Sequence, residues 1–196
     1  MNNTFLETIK VLNGEIFNLS YHQARYQRVL KHFGIDKVQD LGCFVAPPQK
    51  GLFRCRLVYD TKGFIETTYH QYQKREINSL KILYDDSVEY AIKYTNREKL
   101  DALFAQREEG DDVLIVKNGL ITDTTIANIA FFDGKRWLTP ALPLLQGTTR
   151  ERFLKEGKIF EEEIRIQDIE RFKQVALMNA MIDFAIITKN PKELFC

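Results

Sequence analysis

The chain lacks an excess of charge of either sign. Its 28 lysines and arginines are matched by 27 aspartates and glutamates, which leaves a formal net charge of +1. A balanced surface provides no field that would recruit nucleic acid or an anionic membrane. The apolar runs are far shorter than a membrane span. Residues 1–4 also lack the basic and apolar pattern of a secretion signal.

Cysteine and histidine are scarce as well. The three cysteines, Cys43, Cys55 and Cys196, have no metal-type spacing, and an odd number cannot all pair. A reducing cytoplasm is therefore the simplest setting. The three histidines are scattered along the chain, so we expect no metal site.

What remains is the composition of an ordinary globular protein, with 44% hydrophobic and 28% charged residues. At 196 residues the chain can form one compact unit or two small domains. The polar stretch 74–79 is the best linker, so we predict domains at 1–78 and 79–196.

Short strands and hairpins dominate the first predicted domain. Residues 5–11 alternate as a strand, Asn13-Gly14 predicts a tight turn, and residues 15–19 return as a second strand. Ser20 is a good cap for a helix that ends at Gly34. Residues 36–43 predict a second short helix. Strands over 53–59 and 64–72 follow, and their alternation places Arg54 and Arg56 on one face with Val58.

The second predicted domain mixes strands and short helices. Helices are predicted at 97–107, 149–156 and 167–171. Strands are predicted from residue 80 and at 112–117, from 121, and at 127–132, 136–139, 161–166, 174–178 and 184–188. This mixture predicts an α+β fold and argues against a doubly wound sheet.

The chemically informative residues lie in this second part. Asp123 and Asn128 interrupt an apolar and hydroxyl-rich run over 120–132. The turn Gly147-Thr148-Thr149-Arg150 follows, and Lys93 lies thirty residues upstream of Asp123. A lysine, an acid and a hydroxyl-rich turn in this order suggest bound pyridoxal phosphate (PLP).

Several short blocks carry a family resemblance. In chain order they are Phe5-Leu6-Glu7-Thr8-Ile9, His22-Gln23-Ala24-Arg25-Tyr26, Lys93-Tyr94-Thr95-Asn96-Arg97, Ile121-Thr122-Asp123 with Asn128-Ile129, Thr139-Pro140, Gly147-Thr148-Thr149-Arg150 and Met178-Asn179-Ala180-Met181. Their order resembles the class IV aminotransferases, which include branched-chain aminotransferases, D-amino acid aminotransferases and aminodeoxychorismate lyase. The block around Lys93 and the Asn-Ala-Met block are most similar to aminodeoxychorismate lyase.

The resemblance implies roles for two catalytic residues. Lys93 would join covalently to the aldehyde of PLP, which requires an amine that burial and a cationic neighbour can keep neutral. Asp123 would face the pyridine nitrogen and keep the ring protonated, so that the ring can accept electrons. Most family members have glutamate at this position. Aspartate is shorter by roughly 1.5 Å, so either the backbone lies closer or a water bridges.

Further residues would hold the cofactor. Arg25 would bind its phosphate through paired donors. Gly147, Thr148 and Thr149 open a helix, whose first amides suit an anion. Without the other motifs, plain helix capping, which needs no ligand, would be the preferred interpretation. Asn179 and Ala180 would lie on a second loop near the phosphate or the substrate carboxylate, with Ala180 a candidate for substrate binding. A structural asparagine at the end of a strand explains Asn179 equally. Asn128 belongs to the same site, where fixing the turn around Asp123 is its favoured role.

Arg54 and Arg56 are candidates to hold a substrate carboxylate, because one strand face presents both. Two solvated strand residues are the alternative for at least one of them.

The resemblance also implies the two-domain, D-amino acid aminotransferase-like arrangement called fold type IV, with PLP between the domains and a homodimer completing each site. The chain begins almost at the first block and ends soon after the last. We therefore expect that the leading strands and C-terminal helices usual in the family are missing, and that the protein is either an enzyme with a more open site or a relic.

Three interpretations of function remain open. The leading one is an aminodeoxychorismate lyase-like enzyme that eliminates pyruvate from 4-amino-4-deoxychorismate to give 4-aminobenzoate, a folate precursor. The second is a branched-chain or D-amino acid aminotransferase. The third is a weakly active PLP-binding relative, or a relic without cofactor.

Overall fold

A computed structural model describes residues 4–187 and 190–195. Thr188, at the end of the last predicted strand, and Cys196 lie outside the described residues, as do the first three residues of the N-terminal segment. The described chain forms two compact units. The first comprises the residues up to Lys74 together with Ile92–Asn96, and the second comprises Arg75–Ala91 and the described residues from Arg97 onward.

The first unit is an antiparallel sheet and one long helix. Its elements are β1 Phe5–Leu12, β2 Glu15–Ile16, α1 Leu19–His32, a 3-10 turn Leu41–Phe44, β3 Leu52–Tyr59 and β4 Ile65–Gln71. The strands lie in the order β2-β1-β3-β4. Alternate residues of β1 and β3 pack against α1 in an apolar core, to which Ile92 and Tyr94 are added. The returning segment is tied to β1, since the amide of Leu6 donates to the carbonyl of Lys93 (2.9 Å).

Two local predictions in this unit are wrong. Strand β2 ends at Ile16, and α1 already begins at Leu19, because Asn18 adopts a left-handed conformation (φ 55°) that asparagine tolerates. Ser20 therefore lies inside the helix. Residues 36–43 form no α-helix; only the 3-10 turn Leu41–Phe44 appears, with Asp40 accepting from the amide of Gly42 (2.8 Å).

The second unit carries a larger sheet. Its elements are β5 Leu80–Tyr84, α2 Glu98–Ala105, β6 Asp112–Lys117, β7 Leu120–Thr124, β8 Asn128–Phe132, β9 Trp137–Pro140, α3 Thr148–Lys155, β10 Ile159–Glu162, a 3-10 helix Ile166–Arg171, β11 Gln174–Asn179, β12 Asp183–Ile187 and α4 Pro191–Leu194. The strand order is β10-β9-β8-β7-β6-β5, and β11 pairs with both β8 and β12.

Pairing in this sheet is mixed. Strands β5 with β6 and β9 with β10 run parallel, while β6, β7, β8, β9, β11 and β12 pair antiparallel with their other neighbours. The predicted α+β class is confirmed. Within the described ranges no helix is long and apolar enough to cross a membrane.

Candidate functional site

A buried ion pair joins strand β1 to helix α1 in the first unit. Glu7 Oε1 accepts from Arg25 Nε (2.8 Å), and Glu7 Oε2 accepts from Arg25 Nη2 (2.6 Å). His22 Nδ1 lies 2.6 Å from the same Oε2. His22 and Arg25 are three residues apart on α1, so the helix presents both to Glu7. Glu7 thus fixes the orientation of the arginine predicted to bind phosphate.

The charges of this group follow from its burial. Burial alone would raise the pKa of Glu7, but Arg25 and His22 together lower it to about 2. Burial lowers the pKa of His22, with the contacts to Glu7 opposing that shift. Glu7 and Arg25 therefore carry opposite charges at neutral pH, while His22 serves as a neutral donor.

Lys93 belongs to the same unit. Its carbonyl is hydrogen-bonded to β1, and its residue is half-buried. The Lys93 ammonium contributes to the lowered pKa of His22, so its charge acts on the Glu7–His22–Arg25 group. The first unit therefore carries Arg25 and Lys93, two of the predicted site residues.

Asp123 lies at an irregularity in the second unit. Between the pairs Leu114–Thr124 and Val116–Ile121, β6 advances by two residues while β7 advances by three. Such a bulge bends the strand and redirects its side chains, and bulges are common beside active sites. The hydroxyl of Thr122 donates to the carbonyl of Ile115 (2.8 Å) within this bulge.

The carboxylate of Asp123 is held at both oxygens. Asn128 Nδ2 donates to Oδ1 (2.7 Å), and the amide of Leu145 donates to Oδ2 (2.9 Å). Asn128 Nδ2 also donates to the carbonyl of Leu145 (2.9 Å). With these contacts both amide hydrogens of Asn128 are used. Asn128 therefore links the carboxylate of Asp123 to the backbone of Leu145.

Asp123 is strongly influenced by its burial. Removal from water raises the pKa of its carboxyl to about 6, although hydrogen bonds from Leu145 and Asn128 and the charge of Arg150 all act to lower it. The anionic form of this carboxylate would therefore be stabilised by an additional, positively charged hydrogen-bond donor.

Helix α3 begins beside this carboxylate. A side chain at Gly147 would overlap the Oδ1 of Asn128 and force Asn128 out of its hydrogen bonds with Asp123 and Leu145. Thr148 and Thr149 are buried in the first turn of α3. The first amides of a helix have no partner within the helix, and together with threonine hydroxyls they can bind an anion.

Arg150 completes this turn as a buried cation. Its Nη1 donates to Gln146 Oε1 (3.0 Å), while its Nη2 donates to the carbonyl of Pro140 (2.8 Å) and to Glu161 Oε1 (2.6 Å). The guanidinium thereby connects β9, the loop before α3, and β10. Because Leu145 lies in that loop, Arg150 supports one of the two donors to Asp123.

Asn179 reaches the connection between β7 and β8. Its Nδ2 donates to the carbonyl of Ile126 (3.2 Å), and its Oδ1 accepts from the amides of Met181 (2.9 Å) and Ile182 (3.1 Å). Asn179 therefore links the turn after β11 to the turn that follows Asp123. Ala180 is half-buried in the turn after β11.

Arg54 and Arg56 lie apart from the Glu7–His22–Arg25 group. Cys55, Leu57 and Tyr59 of β3 point into the core of the first unit, so the alternation directs both arginines to the opposite face of that sheet. Arg54 is exposed and Arg56 is half-buried. The predicted common face is confirmed. It is the face of the sheet that points away from helix α1, on which Arg25 lies.

Two supporting residues were missed from the sequence. Glu7 could have been detected as a charge among the buried alternate positions Phe5, Ile9 and Val11 of β1. Arg150 was noticed only as part of a turn, because a helical arginine is usually exposed. Its burial depends on contacts that no local pattern reveals.

The residues present suit PLP. A buried carboxylate is an acceptor that a protonated ring nitrogen can satisfy. The start of α3 and the guanidinium of Arg25 are both suited to a phosphate. Lys93 supplies a primary amine. Each unit therefore carries groups whose chemistry fits the cofactor that the sequence suggested.

Comparison with known proteins identifies the family. The profile described as Amino-transferase class IV matches residues 64–189, and the chain belongs to this family. The family is PLP-dependent, and membership supports an enzymatic function.

Individual relatives agree with this assignment. An uncharacterized protein of Haemophilus influenzae is 40% identical over 181 residues, which cover 89% of this chain and 96% of the relative. A solved structure from Haemophilus somnus 129PT, provisionally named a 4-amino-4-deoxychorismate lyase, shares 32% identity with a TM-score of 0.84 and covers 92% of this chain and 97% of that one.

A more distant structure shows the same fold. The PLP-bound form of a hypothetical aminotransferase from Mycobacterium tuberculosis has a TM-score of 0.78 at 17% identity, covering 94% of this chain and 80% of that one. The class IV aminotransferase fold expected from the sequence is confirmed.

Proposed function

We propose that this protein is a PLP-dependent enzyme resembling aminodeoxychorismate lyase, which eliminates pyruvate from 4-amino-4-deoxychorismate to give 4-aminobenzoate. The observation that carries the proposal is the Asp123 carboxylate, buried and held at both oxygens by Leu145 and Asn128. A fixed anion in this form suits a protonated pyridine nitrogen. The provisional name of the Haemophilus somnus protein and the blocks around Lys93 and Asn179 favour the lyase.

The cofactor-binding roles divide between two kinds of contact. Arg25, oriented by Glu7, and the Gly147-Thr148-Thr149 turn would bind the phosphate. Asp123, supported by Asn128, would bind the ring nitrogen, and Asn179 would hold the turn beside them. When bound, PLP supplies an electrophilic aldehyde and a protonated ring that accepts an electron pair.

Lys93 has two tasks in this proposal. Its Nζ would hold the aldehyde of the cofactor, and the same amine would accept the proton from the substrate carbon that bears the amino group. Ionised Asp123 would keep the ring nitrogen protonated. Loss of pyruvate then leaves the aromatic amine as product.

Substrate contacts are assigned to Arg54, Arg56 and Ala180. Either arginine would hold a substrate carboxylate as a charged donor. Arg54→Ala and Arg56→Ala separate binding from chemistry, because loss of a ground-state contact raises KM and leaves kcat unchanged. An arginine whose removal changes neither KM nor kcat is a solvated strand residue that does not contact the substrate.

The proposal also covers the domain boundaries, the oligomeric state and the cellular compartment. We propose domains at 1–78 and 79–196, with the segment Ile92–Asn96 counted in the first compact unit. We also propose a homodimer in the cytoplasm, following the family resemblance. Cys43 and Cys55, both free thiols in the described structure, are compatible with a reducing compartment. Sedimentation of the cofactor-loaded protein tests the dimer directly.

The decisive test combines trapping with two half-reactions. Borohydride reduction of the protein with added PLP is expected to attach the cofactor to Lys93, detected on the corresponding peptide, and Lys93→Ala is expected to prevent it. Pyruvate release from 4-amino-4-deoxychorismate supports the lyase. Conversion of bound PLP to its amine form by branched-chain or D-amino acids, without pyruvate release, supports the aminotransferase instead. A colourless protein that cannot be labelled overturns both.

A further inference from the structure

Asp112 is a buried acid with no role in the chemistry above. It begins β6, and its Oδ1 accepts from Thr125 Oγ1 (2.5 Å) and from the amide of Val113 (2.8 Å). Within residues 4–187 and 190–195, its Oδ2 has no hydrogen-bond partner. Arg75 Nη2 lies 3.9 Å from that oxygen, on a side chain that is about half exposed.

Such a carboxyl group, considered by itself, lowers the free energy of unfolding. Burial raises its pKa, and a buried polar atom without a hydrogen-bond partner lowers the stability of the fold. Groups of this kind are retained mainly where function requires them. The direct contact of Asp112 with Thr125 indicates which part of the molecule it serves.

Thr125 lies in the turn between β7 and β8, two residues after Asp123. Its hydroxyl contacts Asp112, while its carbonyl accepts from Arg97 Nη2 (3.0 Å). The turn is thus held from two sides. Asp123 and Asn128 are cross-strand partners immediately around it, so movement of this turn displaces the carboxylate and its amide donor together.

We propose that Asp112 is a positioning residue that fixes the Asp123 carboxylate through the hydroxyl of Thr125. Its importance for catalysis rests on the proposed function, in which Asp123 binds the cofactor ring. Its effect on Asp123 itself does not require cofactor.

The experiment measures hydrogen exchange by NMR in the cofactor-free protein. The reporter is the Leu145 amide, which donates to Asp123 Oδ2. Thr125→Val removes the hydroxyl and is expected to speed this exchange about tenfold through local opening. Thr125→Ser keeps a hydroxyl and is expected to restore most of the protection. The amide of Leu177, in β11, reports global unfolding.

A matched control is Thr139→Val. Thr139 is also fully buried, and its hydroxyl donates to the carbonyl of Ile129 (2.8 Å). It is expected to leave the exchange of Leu145 unchanged relative to Leu177. If the three substitutions alter both amides equally, Thr125 is only structural and the proposal is overturned.

Asp112→Ala tests whether the acid acts through the threonine. Alone it is expected to accelerate Leu145 exchange at least as much as Thr125→Val does. In the Thr125→Val background it should add less than it does alone because, of its contacts with Thr125, only the hydrogen bond with the backbone amide is then left to lose. Additive effects would overturn the assignment. If Asp112→Ala does not fold, the Val and Ser pair at position 125 still decides.

Spectral titration with PLP extends the test. The expected result is that Thr125→Val weakens PLP binding about tenfold and Thr125→Ser much less, as found for residues that orient a ligand-binding group. Absence of PLP binding in the unmodified protein would overturn the proposed function and leave the exchange result intact. Faster exchange at Leu145 with unchanged PLP affinity would overturn the cofactor part of the inference.

Discussion

Asp123 combines its proposed role at the cofactor ring with an energetic penalty. The buried carboxylate has two hydrogen-bond donors and the charge of Arg150 in its favour, yet its pKa is still raised to about 6. A cationic ring nitrogen would reverse this imbalance. In the cofactor-free protein, however, the ionised form must destabilise the fold.

This penalty predicts a particular pH dependence of stability. Because the folded-state pKa lies above the unfolded value, the native state binds more protons between about pH 4 and pH 6, and Asp123 lowers stability as the pH rises through that range. We expect the free energy of unfolding of the unmodified protein, minus that of Asp123→Asn, to fall by about 2 kcal/mol between pH 4 and pH 7. Urea denaturation without cofactor measures this difference.

Asp133 provides the opposing control. Amides of Arg136 and Lys135 lower the pKa of its carboxyl, so the corresponding difference for Asp133→Asn should rise with pH. A difference for Asp123 that rises with pH as well would show that the carboxylate is stabilised in the cofactor-free fold.

In the first unit, a buried ion pair connects strand β1 to helix α1. Glu7 on β1 binds Arg25 and His22 on α1, and no apolar contact can replace that link without leaving a charge behind. The alternation of β1 places residue 7 on the same face as Phe5 and Ile9, but its burial was not predicted from the sequence. The identity of its partners required the position of α1 over the sheet.

Glu7→Gln is expected to destabilise the protein by about 3 kcal/mol at pH 7, because it leaves the Arg25 cation buried without its carboxylate. The pKa of Glu7 is lowered to about 2, so its stabilisation is complete above about pH 4.5 and is lost as the pH falls through 2. Urea midpoints at pH 7 and pH 3 measure both effects.

Glu66→Gln, at an exposed position of β4, is the matched control. It should change stability by less than about 0.5 kcal/mol. Equal stability of the two variants at pH 7 would show that the buried pair does not hold β1 to α1.

The bulge in strand β7 is a feature that the sequence pattern does not predict. Residues 120–132 predict a strand, a turn and a strand, and β7 and β8 are found there. The extra residue opposite Ile115 is not visible in the pattern, because a bulge depends on how β6 pairs with β7.

For the whole molecule, cofactor binding should increase the free energy of unfolding. PLP at about 100 times its Kd adds about 2.7 kcal/mol to the native state, which for a chain of this size raises Tm by about 5–10 °C. Thermal scanning with and without PLP measures the shift. Lys93→Ala should retain only the smaller part due to non-covalent contacts.

Pyridoxine 5′-phosphate is the control ligand, since it lacks the aldehyde. It should shift the unmodified protein and Lys93→Ala equally. No shift with PLP in the unmodified protein, at concentrations that saturate other PLP enzymes, would argue for a relic without cofactor.

The sequence by itself determined the strands and helices with strong patterns, the α+β class, and the family blocks that point to Lys93 and Asp123. These depend on local periodicity and on residue types at fixed spacing. Only the tertiary structure decided that Arg25 is oriented by Glu7, that Asn128 and Leu145 hold Asp123, and that Asp112 supports Thr125. Each of these contacts joins residues on different elements, and such pairings depend on how the chain packs.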